Sequence, residues 1–288
     1  VPIILMQVII TIWKGICLLP AAWQKILGQV LGSLLLIIAS KRKRIAQINI
    51  QACFPLLNPQ EQKKLLHQNF KFLGASIFQT GSAWFWSDAK IQKHVEYEIK
   101  GLGLLNNQEG QSGNLVLFKH SQHLELDARL LGLNSEIFGV GRSHNSPIMN
   151  KLQTQGRLSS IQATADKNNP RKFLAWLKKG KNVLYAIDQD YGWENSIELS
   201  FFKNPAATIT TTRKIIDITH CNLLFVNSYF AKEKLVLELE SINHNELDSM
   251  QLAQKINDLM EQKITLHPEE YLWSHRRFKS TLGKNFYK

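Results

Sequence analysis

The chain has few cysteines and no stretch with the composition of a flexible linker, and both absences narrow its class. Its three cysteines, Cys17, Cys53 and Cys221, are widely spaced and form no C-x-x-C pair. They therefore predict no disulfide framework, and they are typical of a reducing compartment. The 288 residues contain no Ser-, Gly- or Pro-rich linker and no internal repeat. One α/β domain is therefore the expected organisation.

Acidic residues are scarce relative to basic ones. The chain has 23 Asp and Glu residues against 35 Lys and Arg residues, a formal net charge of +12. This excess favours an anionic partner, whether nucleic acid, lipid headgroups, a phosphorylated substrate or an acidic carrier protein. The sequence contains no recognisable nucleic-acid module, and its basic residues are dispersed, so we expect no nucleic-acid partner.

Residues 1–40 contain no acidic side chain and only two lysines. Two apolar helices are predicted there, over about residues 3–19 and 26–39. We interpret the first as a single membrane anchor and the second as an apolar interfacial helix, with two buried core helices as the alternative. Residues 41–44 are all Lys or Arg, and cations beside an apolar segment indicate the cytoplasmic side of a membrane. The predicted division is an anchor over 1–40 and a cytosolic-face domain over 41–288.

Reactive side chains concentrate where a predicted strand joins a predicted helix. An apolar run of strand character, Leu115–Phe118, is followed by four leucines at helical spacing, Leu124, Leu126, Leu130 and Leu131. His120, His123, Glu125 and Asp127 lie in and just after the join. Strand-to-helix turns are where α/β sheets place reactive groups. This stretch is therefore the candidate catalytic centre.

Two histidine–carboxylate pairs are possible in this stretch. On one continuous helix His120 and Glu125 would lie about 140° apart. If His120 instead ends the strand, the turn can fold it back over Glu125, which would hold the imidazole in one tautomer and leave its other nitrogen to accept a proton. His123 and Asp127 share a helix face at i and i+4 and form either a surface contact or half of a metal site.

The span from His120 to Glu125 resembles the H-x4-D/E motif of glycerolipid-type acyltransferases, and more specifically that of the late acyltransferases of bacterial lipid A biosynthesis. Six further blocks resemble that family and occur in the family's order, between about residues 41 and 279: Asn49–Pro55, Gly81–Trp86, Leu152–Arg157, Asp188–Gly192, Ala206–Thr208 and Glu270–Lys279. The resemblance implies a glycerolipid-acyltransferase-like fold, a mixed α/β sheet flanked by helices, preceded by an N-terminal membrane-anchoring helix.

The same resemblance implies the chemistry. An acyl group would pass from acyl carrier protein to a hydroxyl on an acyl chain of a Kdo-bearing lipid A precursor. His120 would be the general base, Glu125 would orient it, and Arg157 would stabilise developing charge. No metal, no cofactor and no covalent enzyme intermediate would be required, and the acylated carrier protein would serve as a co-substrate. The Ala83–Trp86 and Trp273–Lys279 blocks resemble the lauroyl-transferring branch more than the myristoyl one.

The resemblance also implies where the protein acts and with what. We expect the bacterial inner membrane, with a single-pass or peripheral anchor and the catalytic domain on the cytoplasmic face. The expected partners are acyl carrier protein, the phosphorylated precursor and membrane lipids, and we expect a monomer.

Two arginines of the middle region are candidates for contact with the substrate. Arg142 ends a predicted strand, and Arg157 ends a predicted helix. In the family interpretation both lie near the pocket, where a guanidinium can hold a phosphate or polarise a carbonyl. A solvated surface arginine is the alternative for each.

Two further pairs are candidate substrate-binding residues. Asp188 and Asp190 follow a predicted buried strand and are expected to pair with basic residues or to contact the acceptor; a magnesium site lacks a third suitably spaced carboxylate. Arg276 and Arg277 lie in a C-terminal segment without acids, so we expect them to face a phosphate or the membrane, with a solvated terminus as the alternative.

Two other interpretations stay open at the level of sequence. A membrane-attached, metal-dependent hydrolase would use His120, His123, Asp127 and Asp188 as ligands, although no H-E-x-x-H spacing is present. The aromatic cluster Trp84–Trp86 is expected in the core or at the membrane interface, with contact to an acyl chain as the alternative.

Overall fold

The computed structural model describes residues 3–106, 112–142 and 146–288. The described helices are α1 (Ile3–Ile16), α2 (Ala21–Ile38), α3 (Ser40–Cys53), α4 (Pro59–Phe85), α5 (Asp88–His94), α6 (Leu124–Asn134), α7 (Pro147–Leu158), α8 (Pro170–Lys178), α9 (Thr211–Thr219) and α10 (Ser249–Leu266). The described strands are β1 (Tyr97–Lys100), β2 (Asn114–Phe118), β3 (Ile137–Gly141), β4 (Ala163–Asp166), β5 (Asn182–Ala186), β6 (Ser196–Phe201), β7 (Asn204–Ile209), β8 (Asn222–Ala231) and β9 (Lys234–Ser241).

The described residues form a seven-stranded sheet in the order β1-β9-β8-β2-β5-β3-β4. Its strands pair in parallel except for β8 and β9, which form an antiparallel hairpin. Strands β6 and β7 form a separate antiparallel hairpin. Two hydrophobic clusters that contain residues of the central strand flank the sheet, one of them including Leu115 and Leu117 and the other Val116. The predicted mixed α/β fold is therefore confirmed.

The central position of β2 explains its sequence. Leu115, Val116 and Leu117 are fully buried, because helices cover both faces of the sheet and alternate side chains both enter a core. In register, Phe118 at the end of β2 lies beside Ala186 at the end of the parallel strand β5. The segments that follow these two strands therefore leave the same edge of the sheet side by side, which is where α/β folds place their sites.

The long helix α4 begins and packs as its sequence dictates. Asn58 accepts a hydrogen bond from the Glu61 amide while the Glu61 side chain accepts one from the Asn58 amide, so the capping box is complete. Helix α2 packs along α4 at a close crossing made by Gly28 and Gly32 on α2 and Gly74 on α4. A Cβ atom at any of these three glycines would collide with backbone of the facing helix.

We expect Gly32→Ala to lower the free energy of unfolding by about 1–3 kcal/mol, the usual cost of overpacking a close contact. The added methyl group would meet the backbone of Phe70, which cannot move without displacing α4. Gly15→Ala on α1 is the matched control, because a Cβ atom there has no neighbour within 4 Å. Thermal unfolding in detergent checks the prediction, and equal melting temperatures for the two variants would contradict it.

The N-terminal helices differ from the prediction in which of them can serve as an anchor. Among the described residues only Ala21–Ile38 is long and apolar enough to cross a membrane, whereas α1 has 14 residues. Large apolar side chains on α2, including Trp23, Ile37 and Ile38, are exposed. The second helix is longer than predicted. It starts directly after Pro20 and includes Lys25, whereas the prediction began it at about residue 26.

Two local predictions near the C-terminal half were wrong. From the sequence, a helix is expected to begin within Ala206–Arg213, but Ala206–Thr208 lie in strand β7 and the helix begins only at Thr211. The sequence also favours a last helix that starts at Glu269, whereas the structure has a single 3-10 turn there, Pro268–Glu270. In both places the tertiary partners, strand β6 and the segment after β2, decide the backbone conformation.

Candidate active site

The candidate site lies at the carboxyl ends of β2 and β5. His120 follows β2 and its Nδ1 atom lies 2.5 Å from Oδ1 of Asp188, which follows β5. The His120 backbone amide also donates to Oδ2 of Asp188 at 2.9 Å. Asp188 is buried, whereas the His120 side chain is 21% exposed and lines a cavity. The buried carboxylate of Asp188 therefore binds both the imidazole Nδ1 and the backbone amide of His120.

The contacts of Asp188 define which nitrogen of His120 can act as a base. Burial by itself raises the pKa of Asp188, but the charge of His120 and hydrogen bonds from His120 and Tyr271 hold the pKa of this carboxyl well below its usual range. An ionised carboxylate can only accept hydrogen bonds, so Nδ1 of His120 carries the proton. The Nε2 atom is then the acceptor available for proton transfer.

The backbone around His120 is held by the segment that carries Tyr271. Ser121 forms an isolated antiparallel bridge with Tyr271, and the Leu272 amide donates to the His120 carbonyl at 3.0 Å. The Gln122 amide donates to the Glu270 carbonyl at 2.8 Å. The pairing of Ser121 with Tyr271 therefore both fixes the backbone next to His120 and places the Tyr271 hydroxyl at Asp188. The Glu270–Lys279 motif block includes this tyrosine, but sequence reasoning did not assign it a role because its contact with Asp188 joins residues far apart in the chain.

Glu125 lies in the same cavity but has a different partner from the one predicted. Arg157 donates from Nε to both carboxylate oxygens at 3.1 Å and from a terminal nitrogen to Oε1 at 2.5 Å, a bidentate pair. The indole nitrogen of Trp84 donates to Oε2 at 2.9 Å. The structure therefore pairs His120 with Asp188, and Glu125 with Arg157 and Trp84. The physical reason is that Asp188 arrives directly beside His120 through the β2–β5 register.

The glycine before Arg157 explains how this arginine reaches Glu125. A Cβ atom on Gly156 would collide with the Trp84 ring, so only glycine allows α7 to approach the end of α4 this closely. Trp84 is partly buried and lines the cavity, whereas Trp86 is buried and donates to the Cys17 carbonyl at 2.6 Å. The Trp84–Trp86 cluster, which was predicted as one unit, is therefore divided: Trp84 lines the cavity and Trp86 lies in the core.

The cavity has a volume of about 410 Å³; we call its charged, solvent-accessible lining the rim and its apolar lining around the buried Ile161 and Leu184 the floor. Its polar and charged lining residues are His120, Glu125, Arg142, Arg157, Ser160, Thr164, Lys167, Gln189, Asp190, His275 and Lys279. Its aromatic and apolar lining includes Trp84, Phe118, Leu124, Ala128, Val140, Ile161, Leu184, Tyr185 and Tyr191. Such a cavity suits an amphiphilic ligand with an apolar part and a charged part.

Asp190 lines the cavity but its carboxylate is occupied by the protein. Oδ1 accepts hydrogen bonds from the Gly192 amide and the Ser280 hydroxyl, and Oδ2 accepts one from the Ser280 amide. The Asp190 amide donates to Nε2 of His275 at 3.1 Å. Burial, then the nearby charge of His120, lowers the pKa of His275 to about 4, so His275 is neutral at pH 7. Asp190 therefore connects the loop after β5 to the C-terminal segment through its hydrogen bonds with His275 and Ser280.

The predicted substrate-binding arginines separate into two groups. Arg142 is exposed and lines the cavity as predicted. Arg277 is buried, donates to the Ala207 carbonyl and Thr208 hydroxyl, and does not line the cavity. Arg276 lies over the Tyr287 ring, 5.8 Å from its centroid, and is likewise outside the lining. Arg277 therefore links the C-terminal segment to β7 by buried hydrogen bonds. It is buried because the nearby Trp273 and Phe278 pack in the core.

His123 belongs to a buried ionic cluster beside the loop that carries His120. Its Nδ1 lies 2.7 Å from Asp127 and its Nε2 lies 2.8 Å from Glu270. Asp127 also accepts hydrogen bonds from the hydroxyls of Ser121 and Ser228. Although burial alone lowers the pKa of His123, the two carboxylates raise it to about 9. The predicted His123–Asp127 pair therefore forms, but as a buried cation with two anions.

We expect His123 to make stability depend on pH. Because its folded-state pKa is near 9 and its ordinary value is 6.5, its stabilising effect is complete below about pH 6.5 and is lost as pH rises through 9. The free energy of unfolding should fall by at most about 1.4 kcal/mol per pH unit over this range. The neighbouring Lys119, whose pKa burial lowers to about 8, acts in the opposite direction above pH 8.

Melting temperatures measured between pH 6.5 and 8 check this prediction. His123→Gln should remove the downward slope, whereas the exposed His67→Gln should retain it. An identical slope in the wild type and His123→Gln would show that the His123 cluster does not control the pH dependence.

The residues proposed as metal ligands are not brought together. Both ring nitrogens of His123 face carboxylates, and Nδ1 of His120 faces Asp188. Within the described ranges, three potential ligands converge only at His267, Glu269 and Glu270. Glu270 there already binds His123 and the Phe230 amide. The geometry therefore gives the hydrolase interpretation no assembled centre.

Comparison with known proteins decides the family. The family model described as "Bacterial lipid A biosynthesis acyltransferase" matches residues 2–280. The chain belongs to the bacterial lipid A biosynthesis acyltransferases. Membership confirms the resemblance inferred from the motif blocks and makes this protein an acyltransferase of lipid A biosynthesis.

Individual members of the lipid A acyltransferase family differ in acyl chain. The chain is 34% identical over 260 residues to the lipid A biosynthesis palmitoleoyltransferase of Escherichia coli K12, covering 88% of this chain and 84% of the relative. It is also 34% identical, with the same coverage, to the lauroyltransferase of that organism. Identity to the myristoyltransferase of the same organism is 20% over 273 residues, covering 92% of this chain and 84% of the relative. This lipid A acyltransferase thus resembles the first two equally.

Proposed function

We propose that this lipid A acyltransferase transfers a fatty acyl group, of lauroyl type, from acyl carrier protein to a hydroxyacyl hydroxyl of a Kdo-bearing lipid A precursor. The observation that carries the proposal is the position of His120. Its Nδ1 is bound to the buried Asp188, and its imidazole lines the 410 Å³ cavity. A base held in one tautomer at the wall of an amphiphilic cavity is suited to activating a lipid hydroxyl.

In the proposed reaction the precursor hydroxyl oxygen attacks the thioester carbonyl carbon. His120 Nε2 takes the hydroxyl proton as the new C–O bond forms. The C–S bond then breaks, and the proton passes from the imidazolium to the leaving thiolate. Asp188 stabilises the transient His120 cation, and Tyr271 supports Asp188 through its hydrogen bond. The sequence of steps needs neither a covalent enzyme intermediate nor a cofactor.

The Glu125–Arg157 pair has a supporting role in this proposal. Arg157 places a fixed guanidinium in the cavity that contains His120, where it can stabilise negative charge on the carbonyl oxygen. Glu125 and Trp84 hold the guanidinium in one orientation. We therefore assign Glu125 as a positioning residue for Arg157, whereas the sequence-based hypothesis assigned it to His120.

The cavity floor is suited to the acyl chain. Ile161 and Leu184 are buried, and Val140, Ala128 and Phe118 are further apolar residues of the same lining. Burial of each chain methylene contributes about 0.8 kcal/mol, so this wall can bind a long donor chain.

We further propose that the enzyme acts as a monomer at the cytoplasmic face of the inner membrane. The apolar, exposed helix α2 and the four cations at residues 41–44 support attachment to an anionic membrane surface. The net charge of +12 complements an acidic carrier protein and a phosphorylated lipid. No nucleic-acid partner is part of this proposal.

A transfer assay with purified protein in detergent tests the proposed function. The donors are acyl carrier proteins bearing lauroyl, palmitoleoyl or myristoyl chains, and the acceptor is a Kdo-bearing tetra-acylated lipid A precursor. Mass spectrometry should show the mass of one or two added acyl groups, largest in yield with the lauroyl donor. Folded protein that adds no acyl group from any donor would overturn the proposal, and a preference for palmitoleoyl would correct the chain assignment alone.

A further inference from the structure

Cations outnumber carboxylates in the lining of the catalytic cavity. The cationic side chains are Arg142, Arg157, Lys167 and Lys279, and the carboxylates are Glu125 and Asp190. Arg142 and Lys279 are exposed and Lys167 is half-buried, whereas Ile161 and Leu184 of the floor are buried. Positive charge is therefore concentrated at the rim of the cavity.

Both lining carboxylates already have hydrogen-bond partners within the protein, and Glu125 is also paired with a cation. Glu125 accepts from Arg157 and Trp84, and Asp190 accepts from the Gly192 and Ser280 segments. No ion pair involving Lys167 or Lys279 forms within the described part of the chain. The two ammonium groups thus add positive charge without a matching carboxylate in contact.

Lys167 is held at the cavity despite an unfavourable electrostatic environment. Its Nζ lies 3.8 Å from the centroid of the Tyr191 ring, a cation–π contact that fixes the ammonium group. Burial, then the positive charge of Arg142, lowers the pKa of Lys167, while Asp166 and Glu194 partly offset both effects. Like charges brought together at a cavity cost free energy that an anionic ligand would recover.

We propose that Lys167 and Lys279 form a binding site for a phosphate ester at the rim of the catalytic cavity. The proposal rests on the acyl transfer proposed above and deepens it by locating the charged part of a substrate. Lysine ammonium groups bind phosphate as point charges and need no planar geometry, so two of them on separate elements can hold one phosphate. Lys167 follows β4, and Lys279 lies in the C-terminal segment.

Two substrates of the proposed reaction carry such a group. The donor has the phosphodiester of the phosphopantetheine arm of the carrier protein, and the acceptor has phosphate monoesters on its sugars. Either phosphate can reach a site at the rim while its acyl chain or hydroxyl enters the cavity. The experiment must therefore separate the two sources.

Steady-state kinetics with matched substrates tests the site. The donor pair is acyl-phosphopantetheine and acyl-pantetheine, and the acceptor pair is the precursor with and without one sugar phosphate. Lys167→Gln and Lys279→Gln should each raise KM about 10-fold for the substrate whose phosphate is bound. The increase should disappear with the phosphate-free member of the same pair. Lys178→Gln, an exposed lysine of α8 outside the lining, should change neither KM.

A binding measurement keeps this test separate from the success of the proposed reaction. Titration calorimetry of His120→Ala with phosphopantetheine and with glucosamine 1-phosphate, each against its phosphate-free analogue, needs no turnover. Weaker binding of one phosphorylated probe after adding Lys167→Gln or Lys279→Gln identifies the donor or the acceptor. Equal binding with and without these substitutions, or equal loss for the phosphate-free analogues, overturns the phosphate site even if wild-type acyl transfer is established.

Discussion

His120→Ala is expected to lower kcat for acyl transfer by about 10²–10⁴-fold, the usual contribution of a positioned general base. The substitution removes the atom that would accept the hydroxyl proton while leaving the cavity otherwise intact. KM for both substrates should change little, because the apolar floor and the cationic rim remain. Turnover of lipid A precursor followed by mass spectrometry measures the effect.

The matched control for this substitution is His67→Ala. His67 is an exposed histidine of α4 that does not line the cavity. Its kcat should equal that of the wild type. Circular dichroism and thermal unfolding confirm that both variants are folded. Folded His120→Ala protein with wild-type turnover would show that His120 is not the general base. Another polar residue of the cavity lining would then have that role.

Asp188→Asn is expected to lower kcat at least about 100-fold. An asparagine amide can donate a hydrogen bond to Nδ1 of His120, which favours the tautomer that carries its proton on Nε2. The histidine is then present but its cavity-facing nitrogen can no longer act as a base. The near-isosteric change keeps the buried volume, so the loss should appear in kcat rather than in the yield of folded protein.

Glu125→Gln is the comparison that separates the two possible partners of His120. Because Glu125 contacts Arg157 and Trp84, its substitution should cost less than Asp188→Asn and should act through Arg157. Arg157→Gln combined with Glu125→Gln should then cost little more than Arg157→Gln alone. A larger loss for Glu125→Gln than for Asp188→Asn would restore Glu125 as the partner of His120 during the reaction.

Several elements were predictable because their causes are local. The apolar run Leu115–Phe118 predicted a buried strand, and β2 occupies the sheet centre. The pattern Asn58-Pro-Gln-Glu61 is typical of a helix start, and α4 begins there with a complete capping box. The pattern Asn145-Ser-Pro147 is typical of a helix start too, and α7 begins at Pro147; Asn145 lies outside the described residues. Each of these signals depends on neighbours within a few residues.

Other elements were not predictable, because short strands depend on their partners. Strand β4, Ala163–Asp166, has only four residues, three of which are the weak strand formers Ala and Asp, but it pairs with β3 and positions Lys167 at the cavity. The assignment of Arg277 failed for a related reason. A basic segment suggests a surface, whereas the packing of its apolar neighbours carries Arg277 into the interior.

The amino-acid sequence by itself determined the fold class and the family, and it marked the stretch around His120 as the candidate catalytic centre. These inferences rest on residue spacing and on motif blocks that resemble the family, and the match over residues 2–280 confirms the family. Only the tertiary structure decided which carboxylate meets His120. Asp188 lies 68 residues away and arrives because β2 and β5 pair in parallel, a contact that spacing around His120 cannot encode. The same folding turns Glu125 toward Arg157, because Gly156 lets α7 approach Trp84.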